Sequence, residues 1–414
     1  MGRKIIDKPV FKGLVKVAEF NLVQVMESIA MPLPEMQADD ALNKVSASFN
    51  LHLTNKRVDI QNLTILLDQS NITGTTSINN FSEPEIAFNI NIDSIDVDRY
   101  LSAEKSSASK TTTQNKIAIA SPASAAVASA ELFPVDSLRA LNASGLLSIS
   151  KLKVNNMTMH GVNLRLDAKK GIIKTQQNIK QIYQGAYTGN TVINVVNSVP
   201  ALALNEKIIN MQLKPMLNDL SGSAKMTGLI NATVKIQGYG NSETALRSSL
   251  KGKVDFKFKD GVIKGFNLQK IIDSGKALLK GEALPTNNKN DQTVFSIMKG
   301  TVNITNGIAT NDDLYAEASK LRVNGKGSAS LVTKKLDYKV NAKLLKRVAT
   351  ETKPEKINGT PLVFDIGGTF SKPSYKLDIA AMLTEEHKEK IDKVLNKLDK
   401  KLGPGIGNLI RGLF

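Results

Sequence analysis

Apolar and polar residues alternate along most of this chain with the two-residue period of a half-buried β-strand. Across 254–259, Val254, Phe256 and Phe258 fall on one side, and Asp255, Lys257 and Lys259 on the other. Val302 and Ile304 alternate with Asn303 and Thr305, and Asn306-Gly307 follows. Asn-Gly is the strongest short hairpin signal, because both positions tolerate positive φ. Segment 336–343 divides as cleanly: Leu336, Tyr338, Val340 and Ala342 oppose Asp337, Lys339, Asn341 and Lys343. The same design recurs in Leu362, Phe364 and Ile366, in Val162, Leu164 and Leu166 before Gly171, and in Ile86, Phe88, Ile90 and Ile92. Asp260-Gly261 reads as another strand-ending turn, and Asp312-Asp313, after a hairpin strand, as turn chemistry.

Helical spacing is rare. Leu22, Val25, Met26 and Ile29 mark a short helix that Pro32 and Pro34 end, and Leu268, Ile271, Ile272, Leu278 and Leu279 mark another. Ile391, Val394, Leu395, Leu398 and Leu402 form the apolar side of a lysine-rich amphipathic helix, followed by a Gly-rich tail. That helix either docks on the sheet or lies at a membrane interface, which makes Leu409, Ile410, Leu413 and Phe414 membrane-contact candidates. Strands come in runs with an occasional helix instead of a regular βαβ order, so a mainly β, largely antiparallel sheet with a few short helices is expected. The expected organisation is a β-rich region over 1–101, a low-complexity linker or loop over 102–130, a β domain over 131–380, and the amphipathic helix and tail over 381–414.

The chain has 414 residues, 41% hydrophobic and only 5% aromatic, with no Cys and no Trp. Its apolar content is therefore aliphatic, and disulfides and thiolate metal sites are excluded. A net charge of +17 favours anionic partners such as a membrane surface or an anionic glycolipid. No run reaches the roughly 18 apolar residues of a membrane-spanning helix. The opening MGRKIIDKPVFKG is basic without an unbroken apolar stretch, so neither a signal peptide nor a transmembrane helix is read from it.

Catalytic signatures are missing. His52, His160 and His387 lie far apart, and no HExxH, GxSxG or GxxxxGK[ST] occurs. The Gly-rich run at 403–407 follows a helix instead of a strand, which is the wrong context for a phosphate cradle. Phenylalanines and lysines of 253–259 point to opposite faces, which is unsuited to stacking bases under phosphate contacts, so no nucleic-acid partner is expected. A non-enzymatic protein without cofactor or metal is the reading. One-sided strands must still cover their apolar face. Another sheet would do so in a sandwich; a long curved sheet could instead leave an aliphatic trough suited to acyl chains.

From about 181 to 380 the chain resembles the C-terminal region of the AsmA family of bacterial envelope proteins. The resemblance rests on IYQGAYTG with Tyr183, Gly185, Tyr187 and Gly189, on LNEKIINMQLKPMLNDLSG, and on the ordered segments around 245–272, 295–340 and 358–379. Segment 67–101 looks like the family's preceding repeat. The resemblance implies a periplasmic β-rich body held at the inner membrane, associated with outer-membrane biogenesis and similar to bridge-like lipid-transfer proteins. It therefore favours a groove that binds phospholipid acyl chains and carries them between inner and outer membrane. The groove candidates are Val254, Phe256, Phe258, Val302, Ile304, Leu336, Tyr338, Val340, Leu362, Phe364 and Ile366. The alternative is an assembly factor that regulates protein targeting or insertion through envelope-protein partners without carrying lipid. The resemblance implies an anchor at the start of a family member, whereas the opening of this chain reads as mid-domain.

Overall fold

The computed structural model describes residues 10–31, 33, 35–101, 131–265, 267–270, 273, 291–318, 321–347, 356–357 and 362–378. The amphipathic helix expected over 381–402, the tail residues Leu409, Ile410, Leu413 and Phe414, and the linker 102–130 lie outside them. The described chain is mainly β, as the alternation predicts. It divides into two compact units: Met1–Ile179 with Asn194–Pro200 and Asn241–Glu243, and Lys180–Ile193 with Ala201–Gly240 and Thr244–Phe414.

In the first unit β1 (Phe11–Phe20), β2 (Val45–Leu53), β3 (Arg57–Leu67), β4 (Ser70–Asn79) and β5 (Glu85–Asp96) pair antiparallel in chain order. Helix α1 (Leu22–Ser28) links β1 to β2, and its first turn is capped where Asn21 Oδ1 accepts the Gln24 N–H at 3.0 Å. The pairing then changes sense: β5 lies parallel to β6 (Ala143–Val154), which is antiparallel to β7 (Met157–Lys169). Parallel neighbours need a crossover instead of a tight turn. The described ends of that connection are a 3-10 turn at Val97–Tyr100, just after β5, and a short helix α2 (Val135–Ala140), just before β6.

Two carboxylates, buried Asp98 and half-buried Asp68, hold the described start of this connection. Asp98 accepts the backbone N–H groups of Asn155 and Asn156, both left-handed at φ 49° and 62°, in the β6–β7 turn. Asp68 accepts from Leu42 N, Lys44 N and the Tyr100 hydroxyl. The next hairpin turns through Lys170-Gly171, φ 51° and 75°, into β8 (Ile172–Ile182), as the sequence predicts at Gly171.

The second unit opens with β9 (Gly185–Asn194), which pairs with β10 (Ala201–Gln212). There follow β11 (Met226–Tyr239), β12 (Lys251–Lys264), β13 (Gln292–Thr305), β14 (Ile308–Ala318), β15 (Leu321–Ser330) and β16 (Leu336–Arg347), each antiparallel to the one before. The two-residue β17 (Lys356–Ile357) pairs with the end of β16, and β18 (Leu362–Gly368) joins β16 to β19 (Pro373–Leu377). Helix α3 (Leu213–Ser221), ended by left-handed Gly222, and helix α4 (Glu243–Ser249) interrupt the ladder. Only residues 268–270 and 273 of the helix expected after Leu268 are described, and these are helical.

Turn chemistry is resolved residue by residue. Asn306-Gly307, with φ 48° and 73°, joins β13 to β14 with Thr305 opposite Ile308, the expected hairpin. Asp260-Gly261 is no turn. It lies inside β12, where Thr227 faces Val262 and Leu229 faces Lys259, so β12 carries one extra residue and Asp260 takes φ 49°. The pair absorbs a bulge, which demands the same positive φ as a hairpin. Asp312-Asp313 likewise sits in a register shift within β14, and Asp313 Oδ1 accepts the Thr301 N–H at 2.7 Å.

Candidate functional site: the apolar sheet face

Register partners in a ladder point to the same side, so the register defines the face directly. In the second unit one row runs Ile230, Phe258, Met298, Ala316, Val323, Ala342, Leu362 from β11 to β18. Neighbouring rows are Ala232, Phe256, Gly300 and Val234, Val254, Val302. The bulge in β14 leaves the apolar side apolar, because residues 312–314 lie opposite 300–301 of β13 and the one extra residue takes up the shift.

This face is unevenly covered. Phe364 (1% exposed) and Val340 (4%) belong to a buried cluster with Leu268, Phe295, Leu321 and Leu362, against which Phe258, Tyr338 and Ile366 pack. Ile304 is buried beside the Asn306-Gly307 turn, where Gly307 N–H donates to Leu250 O at 3.0 Å just past α4. Between these ends Val254, Phe256 and Val302 stay only half-buried, although their strands are hydrogen-bonded on both edges. Leu336, at the start of β16, is half-buried too. The expected candidates thus share one apolar side, with buried residues at its ends and half-open ones at its centre.

Polar groups enter this side only with partners. Glu206 of β10 faces Val234, is 9% exposed, and accepts from the Tyr187 hydroxyl at 2.5 Å and the Thr191 hydroxyl at 3.3 Å. Burial, then the hydrogen bond to Glu206 and its charge, pushes the Tyr187 phenol well above its usual range. Asn311 faces Val302, accepts from the Tyr338 hydroxyl, and donates to Thr301 O at 2.8 Å and Asp313 Oδ1 at 2.7 Å. Burial and the charges of Asp313 and Asp312 raise the Tyr338 phenol as well.

The first unit builds the same kind of face from residues absent from the candidate set. Ile86, Phe88, Ile90 and Ile92 of β5, all half-buried, face Ala143, Gly145, Leu147 and Ile149 of β6 and then Ala168, Leu166, Leu164 and Val162 of β7. The alternation in β5 is as clean as that in β12, so the signal was present. The Phe88 ring lies over Gly145, where an added Cβ would sit 2.6 Å from the ring and 2.3 Å from Phe88 O. Phe256 similarly covers Gly300, whose Cβ would meet the ring at 3.1 Å. Aromatic rings laid on glycines fill the face without raising bulky side chains above it.

Among the described residues no group of three or more His, Cys, Asp or Glu could hold a metal ion. Nor is any described helix long and apolar enough to cross a membrane. The geometry defines a class: a β-sheet protein whose apolar side is only partly used as its own core. Comparison with known proteins narrows that class. A profile described as the AsmA family matches residues 10–314, and this chain belongs to that family. It is 18% identical over 260 residues to Protein AsmA of Escherichia coli (strain K12), covering 63% of this chain and 42% of that protein. The chain therefore spans less than half the length of the curated relative it matches. No solved structure matches. The match takes in the first unit and continues into β14. Family membership points to envelope biogenesis and association with the cell envelope.

Proposed function

We propose that this chain binds phospholipid through its apolar sheet face and contributes to lipid transport between the inner and outer membranes. The observation that carries the reading is the half-open centre of that face. Val254, Phe256 and Val302 sit in paired interior strands, yet remain incompletely covered while polar residues occupy the other side. A closed sandwich would bury such positions. Acyl chains are the apt cover, because each methylene removed from water contributes about 0.8 kcal/mol and about ten of them about 8 kcal/mol. Aliphatic walls with rings pressed onto glycines present a smooth surface with few polar groups, and those few are internally satisfied. The periplasmic side of the inner membrane is the setting in this reading.

The test is organic extraction and mass spectrometry of the chain purified without detergent. Stoichiometric phospholipid is expected. A folded, lipid-free protein would refute lipid carriage and leave the family's role to protein contacts.

A further inference from the structure

The side of the second unit opposite the apolar face carries lysines in direct cross-strand opposition. Lys235 of β11 faces Lys253 of β12, and Lys257 of β12 faces Lys299 of β13. Further along, Lys326 of β15 faces Lys339 of β16 and Arg322 faces Lys343. Like charges directly opposite on one face of a ladder oppose folding, and any neutral polar residue would serve a solvated face equally well. Carboxylates offset only part of this charge. Asp255 pairs with Lys253 at 3.0 Å, Glu317 with Arg322 at 3.6 Å, and Asp365 and Asp378 with Lys339 at 3.3 and 2.6 Å. Lys207, Lys235, Lys257 and Lys299 are exposed and enter no ion pair among the described residues; Lys299 instead lies 5.4 Å from the Tyr315 ring centroid.

These four cations spread over β10 to β13. Adjacent strands are about 4.8 Å apart and alternate residues on one strand about 6.7 Å, so the charges form a two-dimensional array instead of a pocket for one phosphate. Lys207 and Lys257 flank a shallow depression of about 400 Å³ floored by Asn231, Thr233 and Asp255, at the β10 bulge. The Asp255 carboxyl is held below its usual range by its hydrogen bond to Lys253, that to Thr301, and the nearby charges of Lys253 and Lys235. It therefore stays anionic, and the surplus of cations surrounds it.

We infer that this lysine face is a docking surface for an anionic phospholipid bilayer, with Lys235, Lys257 and Lys299 as its principal contacts. An extended plane of phosphates complements a plane of ammonium groups, and it relieves the repulsion that the folded sheet otherwise carries. The surface is separate from the apolar face, so it would bring a membrane against the protein without occupying the acyl-chain side.

The test is co-sedimentation of the full chain with vesicles of phosphatidylcholine alone and with phosphatidylglycerol added. Each lysine near an anionic surface is worth about fivefold in affinity. The triple variant Lys235→Gln, Lys257→Gln, Lys299→Gln should therefore bind phosphatidylglycerol vesicles about 100-fold more weakly, while its melting temperature holds or rises. A control with the same charge change on the first unit, Lys12→Gln, Lys16→Gln, Lys56→Gln, should stay within a few-fold of wild type. The triple Lys→Arg variant at 235, 257 and 299 keeps the charge and should bind as wild type. Equal losses in both glutamine triples, no loss in the first, failure of the arginine triple, or binding to lipopolysaccharide but not to phosphatidylglycerol would each overturn the proposal. Phospholipid recovered by extraction should be the same in all variants, which keeps this test apart from that of lipid carriage.

Discussion

Placing the same charge at two points of one face separates core from lipid-contacting surface. Val340, 4% exposed, packs in the cluster of Phe364, Leu362 and Val323, whereas Val254, four residues into β12, is half-buried. Val340→Asp forfeits the burial of the valine, about 1.5–3 kcal/mol, and introduces a carboxyl with no partner, typically several kcal/mol more. A loss of at least about 4 kcal/mol is expected. At Val254 only part of the transfer free energy is at stake, and water can reach the carboxylate, so a loss of about 1 kcal/mol is expected. Urea unfolding followed by circular dichroism reads the difference. With a slope of about 3 kcal/mol/M, Val340→Asp lowers the midpoint by more than about 1 M and Val254→Asp by about 0.3 M. Phospholipid is then extracted from each folded variant. Val254→Asp should be folded and depleted of lipid. A Val340→Asp protein with the wild-type midpoint would refute the assignment of Val340 to the core, and a folded, lipid-replete Val254→Asp would refute the open-centre reading.

Other expectations follow from particular contacts. Tyr187→Phe removes one of two hydroxyls donating to buried Glu206, and a loss of about 1–3 kcal/mol is expected from the same urea titration. Gly145→Ala drives a methyl into the backbone carbonyl and ring of Phe88, and an overpacking loss of about 1–3 kcal/mol is expected; because the carbonyl stays in place, adding Phe88→Ala should recover only part of that loss, as a double-mutant cycle would show. The Tyr100 phenol is pushed up to about 12, by burial first and then by its hydrogen bond to Asp68 and that carboxylate's charge. Its raised folded pKa means that the stabilisation is fully present below pH 10 and is lost as pH rises toward 12. Melting temperatures of wild type should therefore fall more steeply between pH 10 and 12 than those of Tyr100→Phe, and parallel curves would contradict the assignment.

The strands were legible because each obeys a two-residue period over a long run, and β12, β13, β16 and β18 fall where alternation places them. Bulges were not. Asp260-Gly261 and Asp312-Asp313 carry residues typical of turns, since a bulge and a hairpin can use the same left-handed backbone and the same side-chain-to-backbone bonds. Only the partner strand decides between them. The parallel β5–β6 pair was equally hidden, because sense of pairing depends on where a crossover returns and not on local pattern. For the candidate residues, alternation tells which side a residue occupies but not how much covers it. Val254 and Val340 look alike in sequence and differ in burial through the cluster built around Phe364 and Phe295. Glu206, inserted in an apolar row, was invisible for a related reason: its hydroxyl partners Tyr187 and Thr191 lie 19 and 15 residues away in sequence.

The most direct test of the central claim uses two adjacent residues of β12 that face opposite ways. A photoreactive phenylalanine analogue is placed at Phe256 or at Lys257, the full chain is loaded in membranes and then freed of them at high salt without detergent, so that no docked bilayer remains, and phospholipid adducts are identified by mass spectrometry after illumination. The account predicts acyl-chain adducts at Phe256 and none at Lys257. Adducts at both positions alike, or at neither in a folded protein, would contradict an apolar face that carries lipid.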